Sequence, residues 1–428
     1  MLAETFWLLP AAMVIAGILG ALAMLAVDRR GLIPASLIDG PWLYNGGATG
    51  ARTLLGAVAS STIGVAGTVF SITIAALSLA AGQMGPRLLR NFTKDRGNQF
   101  TLGMFLATFS YALMVLRSVR TTDEGEFIPH SALTLAIVLA FVCVGTLVYF
   151  VGHMAGRINV DTVIELVSDD VCSAIERLTS KDKPPVLPDA SAWTGAHPVV
   201  DGRRGYLQQL DHGGLADWAA AHDVRLQMLV RPGDYCFPGI PIAEILPAHA
   251  GAGDAIHDAT VLGPARVSEQ DLEFAIRQLV EVAVRALSPG INDPHTAISV
   301  LDRLGAALCD VSAVHLSTGV TQREGRAVLI VPSVDYGGLT DSMFHMIRQN
   351  AAGSTAVLMR ILEVLTAVLS CERDARRREA LQRHAALVLH DAERDISTPG
   401  DLDDVIARHA RFMIVKASTH AQFDHERD

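Results

Sequence analysis

Residues 57–82 read AVASSTIGVAGTVFSITIAALSLAAG, and none of them is charged. The stretch lies in a longer charge-free run, from Thr53 to Pro86. An α-helix rises about 1.5 Å per residue, and a bilayer core takes about 20 apolar helical residues. The run therefore predicts a membrane helix that tilts or projects past the bilayer, with a break near Gln83 and Gly85-Pro86. Its composition raises a second point. Ala57, Ser60, Gly64, Gly67, Ser71, Ala75, Ser78 and Gly82 recur every three or four residues, which puts them on one helical face. Ile63, Val69, Phe70, Ile72, Ile74 and Leu77 fall largely elsewhere. Small residues let helices pack closely, and their hydroxyls bond across helices or back to their own turn. The same face could instead line a wet conduit. Ser60, Gly64, Gly67, Ser71 and Ser78 are thus candidate pore-lining or helix-packing residues.

Three more runs are long and apolar enough to span a membrane. They cover about 6–27, 100–116 and 131–152, beside the run at about 53–81. Ala21-Leu22-Ala23 resembles a signal-peptide cleavage site, but no Lys or Arg precedes the first run and Glu4 does, so it reads as a retained span. No Asp, Glu, Lys or Arg lies inside an expected span, which argues against a proton relay. His153 and Arg157, spaced i,i+4 after the fourth span, read as interfacial anchors.

The basic loop Arg87, Arg90, Lys94 and Arg96 follows the second span. It reads as a topology anchor, or as a site for anionic lipid head groups. Five basic residues flank the spans on each side, so the positive-inside count is a tie. The compact basic loop and the sparse cysteines favour both termini in the cytosol.

Composition points the same way. Half of the 428 residues are hydrophobic, and mean hydropathy is positive. Residues 1–152 hold nine Lys/Arg and seven Asp/Glu, whereas residues 153–428 hold 26 and 38, a formal net charge of −12. An acidic second half without a basic stripe argues against nucleic acid as a partner. Five cysteines without a CxxC pair read as reduced, buried thiols.

The expected organisation is a transmembrane domain at 1–156, a helix and Pro-rich linker at 157–198, a small β-rich domain at 199–267, and a mainly helical domain at 268–428. The fold class is a four-helix membrane domain followed by a cytosolic α+β domain, with a small β-barrel or β-sandwich before the helices. VRLQMLV (224–230) and GIPIAEIL (239–246) read as strands joined through the turn RPGDY (231–235). One short helix is expected near Gly214–Ala221, and one more strand in RAVLIVPSVDY (326–336). Ser268–Leu287 reads as an amphipathic helix. Leu272, Ala275, Ile276, Leu279, Val282, Ala283 and Ala286 share its apolar face, and Glu273, Arg277, Glu281 and Arg285 form a ladder on the other. It ends in SPGINDPHTA. Pro289-Gly290 suits a type II turn, and Asp293 before Pro294 suits an N-cap followed by a proline in the first helical turn.

TVFSITIAALSLAAGQMGPRLLRNFTKDRGNQ (68–99), RPGDY with GIP behind it, and FAIRQLVEVAVRALSPGINDPHTA (274–297) resemble a family of predicted bacterial membrane proteins, domain of unknown function 2254. The resemblance covers nearly the whole chain and is most specific in RALSPGINDPHTA. It implies four spans and a C-terminal soluble region, and it implies no activity.

No phosphate-binding loop, dinucleotide fingerprint, nucleophile elbow or HExxH motif is present in the sequence. No enzyme activity, cofactor or metal is therefore expected. Asn292, Asp293 and His295 lack a second His or Cys at ligand spacing. The expected partners are the lipid bilayer and further copies of the chain. The favoured function is a homo-oligomeric ion channel or pore, with a non-conducting membrane sensor or scaffold as the alternative.

Overall fold

The computed structural model describes residues 6–30, 44, 46–84, 95–122, 125–157, 159–267 and 270–425. The chain divides into two compact units, residues 1–162 and 163–428.

The first unit contains four helices long and apolar enough to cross a membrane. They are α1 (Leu8–Arg29), α2 (Ala48–Met84), α3 (Arg96–Ser118) and α4 (His130–Arg157). The expected spans at 53–81, 100–116 and 131–152 fall inside α2, α3 and α4, and the one at 6–27 overlaps α1, which begins two residues later. The short hairpin β1 (Arg120–Thr122) and β2 (Gly125–Phe127) joins α3 to α4. Helix α3 packs against all three others. It lies close against α1: a Cβ on Gly17 would lie 2.6 Å from the Ala107 carbonyl oxygen, and one on Gly103 would meet the Met13 sulfur at 2.5 Å. These two glycines, not those of α2, let backbones touch within the chain.

Polar groups tie the bundle at its ends. Asp28, near the end of α1, accepts hydrogen bonds from Ser131 N (3.2 Å), Ser131 Oγ (2.6 Å) and Ala132 N (3.1 Å) at the start of α4. Asp95 is the N-cap of α3, accepting from Gly97 N, and lies 2.6 Å from His153 Nε2. His153 thus links α4 to the start of α3 and stacks on Tyr149. It is more than the simple interfacial anchor its position in sequence suggested. The Arg157 side chain lies outside the described residues.

The second unit begins with α5 (Val160–Leu178), whose first residues belong to the unit before it, and β3 (Thr179–Ser180). The strands that follow are β4 (His197–Val200), β5 (Gly205–Leu210), β6 (Arg225–Met228), β7 (Tyr235–Cys236), β8 (Pro241–Leu246) and β9 (Thr260–Gly263). Two short helices interrupt them, α6 (His212–Ala221) and α7 (Ala252–Ala259). Then come α8 (Leu272–Ala286), α9 (Pro294–Ser312), β10 (His315–Leu316), β11 (Val320–Arg323) and β12 (Arg326–Ile330). Four helices finish the chain: α10 (Tyr336–Asn350), α11 (Thr355–Cys371), α12 (Ala375–Asp395) and α13 (Pro399–His425).

The sheets are open, and no closed barrel occurs among the described residues. A five-stranded sheet has the order β11-β12-β6-β8-β4, and a three-stranded sheet the order β7-β5-β9. All pairs are antiparallel except β12 with β6, where Leu329 faces Leu226. The five-stranded sheet thus draws strands from both sides of α8 in the sequence. Leu226, Met228, Ala243, Ile245, Val328 and Leu329 are buried with Leu215, Ala216 and Ala219 of α6, giving one core for sheet and helix. The remaining helices form a layer in which α8 packs on α9 and α10, and α11 on α9, α12 and α13.

All five cysteines are free. Cys143 and Cys236 are buried, but Cys371 is exposed, against the expectation of uniformly buried thiols. It ends α11, where the apolar run stops at Glu372.

Candidate functional site

Two features stand out, one in each unit. The first is the face of α2 singled out by its small residues. Among the described side chains, Ala48, Ala51, Leu55, Ala59, Thr62, Ala66, Val69, Thr73 and Ala76 are the buried positions of this helix. Stepping about 100° per residue, Ser60, Gly64, Gly67, Ser71 and Ser78 fall on the opposite side. All five are exposed in the single chain. A Cβ on Gly64 or Gly67 would meet nothing within 4 Å. The small-residue face is therefore unused by the chain's own bundle. Its hydroxyls turn inward: Ser60 Oγ donates to Gly56 O (2.8 Å) and Ser71 Oγ to Gly67 O (2.9 Å). Bonds of this kind lower the cost of placing a hydroxyl in hydrocarbon.

Of the basic loop, Arg87, Arg90 and Lys94 lie outside the described residues. Arg96 is the first residue of α3 and is exposed.

The second feature is a cavity of about 540 Å³ in the C-terminal unit. It is built where several separated segments meet, with residues 177–180, 182–185 and 315–317 along one part of the lining. The RPGDY segment supplies Arg231 and Pro232, and the entrance to α8 supplies Gln270–Glu273. His212 and the segment Val331–Val334 complete much of the wall. RPGDY makes a tight turn in which Asp234 N donates to Arg231 O (3.0 Å). Gly233 has φ 100°, as the third position of a type II turn requires. Its backbone N–H donates to Leu207 O, and the space a Cβ would need is filled by the Asp271 carboxylate.

Asp271 caps α8 through Phe274 N (3.0 Å) and pairs with Arg266 at 2.9 Å through Nε. Burial raises its pKa above the ordinary value, and the Arg266 charge works against that rise. Gln270 extends both amide atoms to Leu210, accepting from its N–H (2.9 Å) and donating to its carbonyl (3.2 Å). Burial lowers the His212 pKa, so its imidazole is neutral near pH 7.

Glu273 corrects the expected surface ladder. It is buried at 7% exposure. Arg231 reaches it across the cavity wall at 3.0 Å, and Arg277 one turn on at 3.2 Å. Helical spacing found Arg277 but could not find Arg231, which stands 42 positions earlier. The cavity lining thus joins apolar residues such as Leu272 and Val331 to charged ones, of which Arg231 pairs with Glu273, and Asp271 with Arg266. Such a lining suits a small amphipathic ligand.

SPGINDPHTA forms the α8–α9 corner. Ile291 N donates to Ser288 O (3.0 Å), closing a turn over Pro289 and Gly290. The left-handed residue is Asn292, with φ 48°, and not Gly290, so the turn is not type II. Asp293 accepts from His295 N (3.1 Å), Thr296 N (3.2 Å) and Thr296 Oγ1 (2.6 Å), with Pro294 opening α9. Asp293→Ala is expected to cost about 1 kcal/mol, the usual loss of an N-cap. The Thr296 hydroxyl holds the Asp293 carboxyl below the usual range. The cap's charge-dependent part is therefore present above the unfolded pKa of about 4 and lost as pH falls through the folded value. Denaturant midpoints of the two chains, measured at neutral and acid pH, check both statements.

Four apolar helices followed by an α+β unit with a walled cavity define a multi-pass membrane protein. The chain belongs to the family described as predicted membrane protein (DUF2254), whose model matches residues 3–367. It is similar to the uncharacterized proteins MT1328 and Rv1290c of Mycobacterium tuberculosis and Mb1321c of Mycobacterium bovis. Each is 31% identical over 425 residues, covering 95% of this chain and 79% of its relative. No solved structure matches the chain.

Proposed function

We propose that the chain is the subunit of a homo-oligomeric channel or pore of the bacterial inner membrane. In this reading the small-residue face of α2 meets its counterparts around a shared axis. The C-terminal unit, on the cytosolic side, assembles and gates the conduit, and its cavity takes the gating ligand. The bilayer and further copies of the chain are the partners, and anionic head groups meet the basic loop. No catalysis is assigned.

One observation carries this reading: the small-residue face of α2 lies opposite the face packed on the chain's own helices. Gly64 and Gly67 expose helix backbone to whatever covers them. In a membrane, small residues mark surfaces where helices approach closely, and soluble or membrane homo-oligomers normally close with cyclic symmetry.

A second reading has its own support. The Ser60 and Ser71 hydroxyls are bonded within their helix, so the face does not require water. A dry seam of the same helices would make a non-conducting sensor or scaffold whose C-terminal unit binds a partner.

Cysteine accessibility separates the two. On a background lacking the five native cysteines, residues 64, 67 and 71 are changed to cysteine one at a time. A small water-soluble thiol reagent should label all three in a wet pore, and purified protein should conduct in planar bilayers. Gly67→Leu should block conduction or disturb assembly, whereas Ile72→Leu, on a different face, should do little. Protection at all three positions with no conductance leaves the dry assembly. A monodisperse monomer in mild detergent and in nanodiscs overturns both.

A further inference from the structure

We propose that Asp341, His345 and His384 form a binding site for a divalent transition-metal ion of the zinc type, joining α10 to α12. The inference does not depend on the reading of α2.

The geometry comes first. Asp341 and His345 stand one turn apart on α10, and His384 faces them from α12. Asp341 Oδ1 lies 3.0 Å from His345 Nε2 and 2.9 Å from His384 Nε2. The three potential ligand atoms all lie within 4.8 Å of one another. Zinc holds nitrogen and oxygen ligands at about 2.0–2.2 Å, which sets ligand–ligand edges of about 3.3 Å in a tetrahedron. The triad needs only small side-chain rotations to reach that spacing. Two imidazoles and one carboxylate are a borderline donor set, suited to zinc, cobalt or nickel rather than to calcium or magnesium.

The local bonding also favours an ion. Three nitrogen groups converge on one oxygen, Asp341 Oδ1: the two imidazoles and the Arg383 guanidinium. A carboxylate oxygen has two lone pairs in its plane, so three donors oversubscribe it. A cation seated among Oδ1 and the two Nε2 atoms would replace both imidazole bonds. His384 is fully buried, with its Nε2 held 2.9 Å from Asp341 Oδ1, so packing already aims this ring at the site. Asp341 and His345 are each about one-third exposed. The ion would thus be reached from one side, with a fourth position open to water.

Three groups oppose binding, the first being His384 Nδ1, which must carry the proton once Nε2 ligates and is buried with no hydrogen-bond partner among the described residues. Arg383 puts a positive charge on the carboxylate, but its side chain is 48% exposed and can turn to solvent. His345 Nδ1 must carry the proton once Nε2 ligates, and Arg348 Nη2 lies 3.5 Å from it. That contact is too long for a good hydrogen bond, so little is lost when the tautomer changes. Arg348 keeps its own buried partner, Asp391.

The test uses the full-length protein in detergent, with Zn2+ and Co2+ as probes. Equilibrium dialysis should give one Zn2+ per chain, and bound Co2+ should show the visible absorption of a low-symmetry site. Asp341→Asn and His345→Gln, both at partly exposed positions, should each weaken zinc binding at least about tenfold. Arg383→Ala should bind zinc as tightly as the parent or more tightly, because a competing cation is gone. Zinc should also raise the melting temperature of the parent and not that of Asp341→Asn. Binding that is absent from the parent, or kept by both Asp341→Asn and His345→Gln, overturns the proposal. So does weaker binding by Arg383→Ala when its fold is intact.

Discussion

Gly319→Ala is expected to destabilise the C-terminal unit by about 3–4 kcal/mol, while Gly325→Ala, six residues on, costs about 1 kcal/mol. Both glycines have left-handed backbone, with φ 74° and 78°. An L side chain in that region costs about 1–2 kcal/mol. They differ in what a methyl group would meet. At Gly325 there is open space, since this residue sits with Glu324 in the tight turn between β11 and β12. At Gly319 the new Cβ would overlap the carbonyl oxygen of Val331, which is backbone and cannot swing away. Overpacking of this kind adds about 1–3 kcal/mol. The local structure explains why the approach is so close. Val331 N donates to Gly319 O at 3.0 Å, extending the β11–β12 ladder by one step beyond Val320 and Ile330. Gly319 and Val331 also line the cavity, so the substitution should distort its wall. Amide hydrogen exchange of the full chain is the suitable measurement, because it reports on this hairpin separately from the membrane helices. Gly319→Ala should raise exchange across residues 320–330, and Gly325→Ala should leave most of it unchanged. Equal protection in the two variants would mean that the close contact at Val331 relaxes freely.

The membrane helices were legible because each is a long apolar run, a signal that needs no knowledge of the neighbours. The apolar face of α8 was legible for the same reason: Leu272, Ala275, Ile276, Leu279, Val282, Ala283 and Ala286 repeat with the helical period, and all are buried. What periodicity could not supply was the identity of distant partners. Glu273 fits a surface ladder until Arg231 arrives from a turn far back in the chain. The parallel pairing of β12 with β6 depends on a crossover through α8 and α9, and local alternation in either strand is silent about it. In α2 the pattern of Ser60, Gly64, Gly67 and Ser71 defined a face without saying what it meets. Its meaning depends on Gly17 and Gly103, which take the close backbone contacts of the bundle for α1 and α3. The Asp341–His345–His384 cluster was hidden because His384 sits 39 positions after His345, on another helix.

Asp28→Ala should cost the membrane unit about 3 kcal/mol, a large effect for a residue that in sequence only ends an apolar run. The first N–H groups of any helix have no partner within it. At the start of α4 those groups include the amides of Ser131 and Ala132, and Asp28 of α1 supplies the acceptor for both. Its Oδ1 also takes the Ser131 hydroxyl at 2.6 Å. A carboxylate here interacts favourably with the positive end of the helix dipole. Hydrogen bonds to a charged group contribute about 1.5–3 kcal/mol each, and they are not additive when they share one acceptor. Removing the carboxylate leaves three donors in a part-buried position beside Tyr111, whose own hydroxyl donates to Ala132 O at 3.0 Å. Asp28→Asn should fall between parent and alanine, because the amide oxygen still accepts while the charge is lost. Thermal unfolding in a mild detergent, followed by circular dichroism of the helices, gives the order parent, asparagine, alanine. If Ser131→Ala is then added to Asp28→Ala, the further loss should be small, since the hydroxyl bond is already gone. Full additivity of the two changes would show that Asp28 and Ser131 act separately, and the cross-helix cap would have to be abandoned.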